Sequence, residues 1–405
     1  DSEPGGGGAP MNYYINHKSQ PKPAALSHTD AQSVQRTMNF HRTIPGYEPT
    51  PLVSLQALAR ELGVAKLWVK DESKRFGLNA FKALGGSWAI ARWMGEKLGL
   101  EGDELTFPAL TEPKAREKLG EVTFVTATDG NHGRGVAWAA RELGCRAVVY
   151  LPKGSAQERL DNILALGARA EITDLNYDDA VRLATRKSEE NSWVLIQDTA
   201  WPGYEQIPAW IMEGYTTLAG EIFDQLTEAG EEPPTHLFLQ AGVGSFAGAV
   251  LGSVRNRWGK NCPVTCIVEP DQADCLYRTA KAADGQLHPV TGDMNSMMAG
   301  LCCGEPCTLA WDIVGPCADA FLSCSDDYAA LGMRLLGQPR GSDPVIVSGE
   351  SGAVGVGALA GILHEEELHD LCWTLGLGER SRVLCISTEG DTDRANYQKI
   401  LQERK

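Results

Sequence analysis

No run in the 405-residue sequence approaches the ~18 to 20 uninterrupted apolar positions of a bilayer-spanning helix, and the polar residues 1–10 contain no signal-peptide core. The expectation is a soluble, cytoplasmic protein. Positive charge is scarce: 37 Lys and Arg against 53 Asp and Glu give a formal net charge of -16. Without clustered basic residues there is little to hold nucleic-acid phosphates or an anionic membrane surface, which leaves small molecules or other proteins as partners. Paired cysteine spacing is missing as well. The eleven cysteines are odd in number and scattered, which argues against a secreted disulfide framework. Cys302, Cys303 and Cys307 lie close together, but neither a double C-x2-C nor a histidine pair accompanies them, so no metal site is expected. A single bridge such as Cys275 to Cys303 cannot be read from spacing. There is no short-period repeat, and low complexity is confined to Gly5, Gly6, Gly7 and Gly8, so solenoids and propellers are excluded. Residues 1–8 read as a tail with no assigned function.

What is present is a long alternation of apolar strands with amphipathic helices. Residues 11–50 show little periodicity and read as an extended arm, and 54–63 as a helix with a capping serine and a closing glycine. Strands are predicted at 66–70, 122–127, 146–151, 169–172 and 193–197, with helices at 83–98, 133–143, 155–166, 177–190 and 204–226. Residues 101–120 look like a surface insertion. After the break EEPP at 231–234 come further strands at 236–240, 265–268, 320–323 and 383–387. The pattern predicts an α/β fold with two open, mostly parallel twisted sheets carrying helices on both faces.

Chemistry concentrates at the turns. Lys82, in FKALGG at 81–86, stands between an aromatic residue and small apolar ones at a loop-to-helix junction. Desolvation there would lower the ammonium pKa and expose a nucleophilic amine, while the bland reading is a stem that packs and a head that reaches water. The strand at 236–240 ends in QAGVGSFAG before an apolar helix, so Gly242, Val243, Gly244 and Ser245 offer backbone N–H groups and a helix dipole to an anion such as phosphate. Spacing alone also suits a dinucleotide loop or close helix packing, and the Lys-Ser/Thr ending of a nucleotide P-loop is absent. TDGNHGRG at 128–135 follows another strand, where Asp129 is suited to capping and His132 to a satisfied turn. SGESGA at 348–353 and STEGD at 387–391 add two more small polar turns.

In this order, the lysine motif, the asparagine turn, the glycine loop and the two later turns resemble pyridoxal-phosphate enzymes of the tryptophan synthase β fold, called fold type II. More narrowly, KDESKRFGLNAFK, ATDGNHGRGVAWAA, QDTAWPGYEQIPAWIMEGY and SGESGAVG resemble the diaminopropionate ammonia-lyases from about residue 35 to the C-terminus. Threonine and serine dehydratases usually carry a serine before the Phe-Lys pair and Ser-x-Gly-Asn-His in the asparagine turn. Here the first position is Ala80, and Thr128 and Asp129 occupy the second motif.

The resemblance implies pyridoxal 5'-phosphate held as an imine by Lys82, which then serves as base. The phosphate would lie on Gly242, Val243, Gly244 and Ser245, with Asn131 at the ring's O3', Thr388 at the ring nitrogen and Glu350 among the cofactor contacts. Thr128, Asp129, Gly130 and His132 would handle substrate. Asp129 and Asp198 are the candidate acid groups for an amine that leaves protonated. The implied reaction is α,β-elimination of D- and L-2,3-diaminopropionate to pyruvate and two ammonia molecules, with Lys82 serving the L form and Asp129 the D form. A homodimer is implied too. Residues 1–45 would form a tail and arm, 46–92 with 216–405 a large cofactor-binding domain, and 93–215 a small mobile domain closing over it. The rival reading is a related lyase or dehydratase acting on serine or threonine, against which Asp129 stands.

Overall fold

The strand His236–Gln240 is buried at every position, as a central strand of a parallel sheet must be when helices cover both faces. In the computed structural model, which describes residues 11–403, eleven strands form two sheets. They are β1 (Asn12–Ile15), β2 (Leu52–Ser54), β3 (Lys66–Asp71), β4 (Thr123–Ala127), β5 (Arg146–Leu151), β6 (Arg169–Ile172), β7 (Val194–Leu195), β8 (His236–Gln240), β9 (Val264–Pro270), β10 (Ala320–Cys324) and β11 (Arg382–Ser387). The larger sheet runs β1-β10-β9-β8-β11-β3-β2 and the smaller β6-β5-β4-β7. Only the edge strands β1 and β2 pair antiparallel. The two-sheet α/β reading therefore holds, and the tail at 1–8 lies outside the described residues.

The expected arm at 11–50 needs correction. It contributes β1 to the sheet edge and a helix, Ala31–His41, capped by Asp30, whose side chain accepts from Ser33 N at 2.8 Å. That helix buries Ser33, Thr37 and His41 as well as Val34, Met38 and Phe40, so its inner face is half polar and shows no apolar stripe. His41 Nδ1 meets Thr217 Oγ1 and its Nε2 meets the Leu84 carbonyl at 3.0 Å. The predicted serine cap at Ser54 is absent too. Ser54 belongs to β2, and the Asp343 carboxylate accepts from Ala57 N and Leu58 N at 2.9 Å, doing the capping from across the fold.

The polar run DESKR before the lysine motif is no solvated turn. Arg75 and Glu72 are fully buried and form a bidentate pair at 2.9 Å. Arg75 also grips Glu221 with two bonds of 2.8 Å, and Lys70 reaches Glu221 at 2.9 Å. Glu221 lies on the long helix Gln206–Glu228, which packs against the helix Ala83–Leu98 at glycines. A Cβ on Gly214 would stand 2.7 Å from the Gly85 Cα, so the two backbones touch. Breaking one member of such a buried ion cluster costs about 3–5 kcal/mol, because the remaining charge is stranded. The segment leading to Lys82 is thus clamped on one side by charge and on the other by close packing.

No helix among the described residues is long and apolar enough to cross a membrane. No group of three or more His, Cys, Asp and Glu among them is arranged to hold a metal. All eleven cysteines are free thiols, Cys275 and Cys303 among them, the Cys275 Sγ lying 3.7 Å from the Cys303 carbonyl.

Candidate active site

Lys82 directly precedes the helix Ala83–Leu98 and already has helical dihedrals, φ -58° and ψ -24°. Phe81 N donates to the Thr388 carbonyl at 3.2 Å, and Ala80 pairs with Glu389 in an isolated bridge, so the lysine is tied to the end of β11. Its Nζ donates to Asp198 Oδ2 at 2.9 Å. The ring centroids of Phe81 and Tyr215 lie 5.6 and 6.0 Å from Nζ, within reach of a cation–π attraction.

The expectation that desolvation lowers this ammonium's pKa is reversed. Burial is the largest single effect and pulls it down, but Asp198, by charge and hydrogen bond, together with Tyr215 and Asp129 outweighs it, and the group is held well above the ordinary lysine value. Asp198 responds in kind. Burial pushes its carboxyl up, yet Lys82 and then His132 bring it well below the usual carboxylate range. Its other oxygen accepts from Tyr177 OH at 2.9 Å, and Tyr177 in turn accepts from Gln197 Nε2 at 3.0 Å.

The turn after β4 divides its labour. Thr128 Oγ1 accepts from Gly130 N at 2.9 Å and from Gly133 N at 2.7 Å, which is the work expected of a capping residue. Asp129 is therefore released from capping. Its Oδ1 is 3.3 Å from Thr128 Oγ1, and its buried Oδ2 has no hydrogen-bond partner. An unpartnered buried carboxylate oxygen is costly unless something binds there. Gly130 has φ +131°, and a Cβ on it would stand 3.0 Å from the Arg159 side chain. Asn131 Nδ2 donates to Glu389 Oε2 at 2.6 Å.

A partly open cleft joins these groups. Lys82, Asp129, Asn131, Asp198, Thr388 and the run Gly242 to Ser245 all line it. The glycine loop opens the helix Ser245–Trp258, with Gly244 at φ +102°. The first N–H groups of a helix have no intrahelical acceptor, so this loop points donors and the positive end of a dipole into the cleft. Ser245 Oγ is hydrogen-bonded to the Asp198 carbonyl, joining the loop to the strand-end aspartate. A Cβ on Gly242 would stand 3.1 Å from the Gly300 carbonyl oxygen, so a side chain there would press on the neighbouring backbone.

Four of the expected site residues do not line the cleft. Thr128 and Gly130 build the turn beneath it, as their hydrogen bonds and backbone require. His132 is buried with Nε2 on the Ile196 carbonyl at 2.9 Å. Glu350 opens the helix Glu350–His364 but is turned toward Asn396, which donates to its Oε1 at 2.6 Å, and its neighbour Ser351 faces the cleft in its place. Sequence reasoning also missed Gln240, Gly300, Cys303 and Ser351 as lining residues. Gln240 and Ser351 stand inside or beside quoted motifs, whereas nothing near Gly300 and Cys303 announces a site.

Replacing Asp198 by Asn removes the carboxylate while leaving the burial, so Lys82 is expected to lose its proton at lower pH than in the unaltered chain. NMR titration of isotope-labelled lysine, with Lys82→Arg assigning the signal, checks this. An unchanged or higher midpoint contradicts it.

A family model described as pyridoxal-phosphate dependent enzyme matches residues 43–375. The diaminopropionate ammonia-lyase of Salmonella typhimurium is 52% identical over 379 residues, covering 93% of this chain and 94% of that protein. A crystal structure of the Escherichia coli diaminopropionate ammonia-lyase in complex with D-serine superposes with a TM-score of 0.89 at 48% identity, covering 97% of each chain. The same enzyme in complex with an aminoacrylate-PLP azomethine reaction intermediate gives 0.88, again at 48% identity and 97% coverage of each chain. Identity at this level over nearly the whole length, in a fold whose cleft gathers the lysine, the glycine loop and the unpaired Asp129, places the chain in the diaminopropionate ammonia-lyase family of pyridoxal-phosphate-dependent enzymes.

Proposed function

We propose that this chain eliminates ammonia from both enantiomers of 2,3-diaminopropionate, with Lys82 and Asp129 as the two groups that take the α-proton. The observation that carries the reading is the pairing of an amine held beside Asp198 with a second, unpartnered carboxylate oxygen on Asp129 in the same cleft.

The residues fit pyridoxal phosphate. The loop from Gly242 to Ser245 supplies N–H donors for a phosphate at a helix N-terminus. Thr388 lines the cleft, its Oγ1 accepting from Gln240 Nε2 at 3.1 Å, and offers a neutral hydroxyl to the ring nitrogen. Asn131 would lie at the ring's O3', its amide fixed by Glu389. When bound, the cofactor supplies a carbonyl carbon that bonds to an amine and a ring that accepts the electron pair left by α-proton loss.

Lys82, freed by the substrate's amine, takes the α-proton of the L form at Nζ. Asp129 takes that of the D form at its unpartnered oxygen. Whichever group removes the proton delivers it to the β-amine, which leaves as ammonia. Asp198 suits the acid role poorly, since a carboxylate held below its usual range gives up its proton too readily to carry one at neutral pH. Its hydrogen bonds instead aim Lys82 Nζ. The released 2-aminoacrylate tautomerises and adds water, yielding pyruvate and a second ammonia. Residues 93–215, which contain the whole smaller sheet, would close over the cleft and exclude water.

Initial rates of pyruvate release test the assignment. Asp129→Asn is expected to lower turnover of the D enantiomer by roughly 10²- to 10⁴-fold, the usual size of a general-base contribution, and to leave the L enantiomer far less affected. Equal loss on both, or intact D turnover, contradicts the division. Faster pyruvate release from serine than from diaminopropionate would point to a dehydratase. The chain is expected to be a cytoplasmic homodimer. Light scattering at micromolar concentration should give twice the 43.7 kDa chain mass, and a monomer would refute the dimer.

A further inference from the structure

Arg159 is the candidate that neither the motifs nor the proposed chemistry uses. It lies on the helix Gln157–Leu164, in the segment that carries the smaller sheet, and is 5% exposed. Its aliphatic stem covers Gly130, an ideal Cβ there meeting Arg159 Cδ, Cβ and Cγ at 3.0 to 3.2 Å. Its guanidinium approaches Glu350 Oε2 at 3.9 Å, and its Nη1 is buried without a hydrogen-bond partner. Glu350 is followed by Ser351, whose N donates to Glu389 Oε1 at 3.2 Å. Glu389 accepts in turn from Thr392 Oγ1 at 3.0 Å and from Asn131 at 2.6 Å. The residues thus form a closed circuit: Arg159 against Gly130 and Glu350, Glu350 next to Ser351, Ser351 on Glu389, and Glu389 on the Asn131 that follows Gly130.

Two carboxylates, Glu350 and Glu389, are almost fully buried in this circuit at 2% and 1% exposure, and Asp129 is close behind at 7%. Such a group of like charges is unfavourable without a cation. Arg159 feels the field of Glu389, Asp129, Glu350 and Asp393, and all four favour its charge against the burial. Burial and then Glu389 push the Glu350 carboxyl up to about 7, while Asn396 and Arg159 oppose them. An exposed pair runs in the opposite sense beside it: Glu158 accepts from Arg394 Nε at 2.6 Å.

We propose that Arg159 is a positioning residue for this enzyme. Its buried charge holds Glu350 and Glu389 in place behind the cleft wall, and through Glu389 it fixes Asn131, and through its stem Gly130, in the geometry the cofactor meets. The proposal rests on the cofactor reading above but not on the identity of the substrate. It assigns the two halves of one side chain separate tasks, the stem packing and the guanidinium balancing charge.

Arg159→Met keeps most of the stem and removes the charge, while Arg159→Lys keeps the charge. Pyridoxal-phosphate affinity of the apo chain, followed by absorbance and fluorescence without substrate, is expected to weaken roughly ten- to a hundredfold in Arg159→Met and to return to within about threefold in Arg159→Lys. Turnover with diaminopropionate is expected to fall mainly in kcat. Glu158→Gln, which touches only the exposed pair, is expected to bind cofactor as the unaltered chain does. Adding Glu350→Gln to Arg159→Met removes one of the anions to be balanced and should recover part of the lost affinity. Equal cofactor affinity in Arg159→Met and the unaltered chain, a loss in Arg159→Lys as large as in Arg159→Met, or purely additive losses in the double variant would each overturn the proposal. If Arg159→Met does not fold, Glu350→Gln with Arg159→Lys still decides it: cofactor binding is retained if charge balance is the role and lost if Glu350 itself is what the cofactor side needs. A chain that binds cofactor as described yet turns over a different amino acid would refute the substrate reading alone.

Discussion

The ion pair between Lys82 and Asp198 is the contact on which the site depends, because its two partners arrive from different sheets. Lys82 is anchored through Phe81 and Ala80 to the end of β11 in the larger sheet, and Asp198 stands just past β7 in the smaller one. A 2.9 Å bond between them therefore fixes the width of the cleft as well as the direction of the amine. The pair also explains its own ionisation. A raised lysine stabilises the fold below the ordinary lysine pKa and loses that effect as pH rises through the raised value. A depressed aspartate stabilises above the ordinary aspartate pKa and loses it on acidification. Together they favour the paired form from about pH 4 to about pH 10.

Around that pair, the chain separates charges that do mechanical work from charges that face the cleft. Lys70, Glu72, Arg75 and Glu221 neutralise one another behind the lysine segment and do not line the cleft. Asp129 is the opposite case. Thr128 satisfies the turn's N–H groups, which leaves a carboxylate oxygen buried, unpaired and open to the cleft. The same logic separates Asn131 from Glu389: the glutamate is consumed in holding the asparagine, and the asparagine lines the cleft.

Legibility in the sequence followed locality. The helix Ala83–Leu98 was bounded correctly because Gly99, at φ +70°, ends it by a purely local rule. Strands β5 and β8 were likewise placed with their observed ends, since buried parallel strands read as short apolar runs. The edge strands β1 and β2 are short and only partly buried, so they offered no such run. The helix Ala31–His41 escaped because half its buried face is polar: Ser33 and Thr37 bond to nearby backbone carbonyls, and His41 is satisfied by Thr217 and the Leu84 carbonyl, partners far along the chain. At the site, the motifs located the right turns, but which residue of a turn faces inward depends on its neighbours. Glu350 and Ser351 are adjacent, and only the second faces the cleft, since successive helical residues point about 100° apart. Arg159 and Tyr177 carry no motif at all and acquire meaning only from what the fold sets beside them.

The most direct measurement is to incubate the chain with pyridoxal phosphate, reduce with borohydride and locate the modified lysine by peptide mass spectrometry. The account predicts a single pyridoxyl group on Lys82, and none in Lys82→Ala. Stoichiometric labelling of another lysine in the unaltered chain, or unchanged labelling in Lys82→Ala, would contradict it.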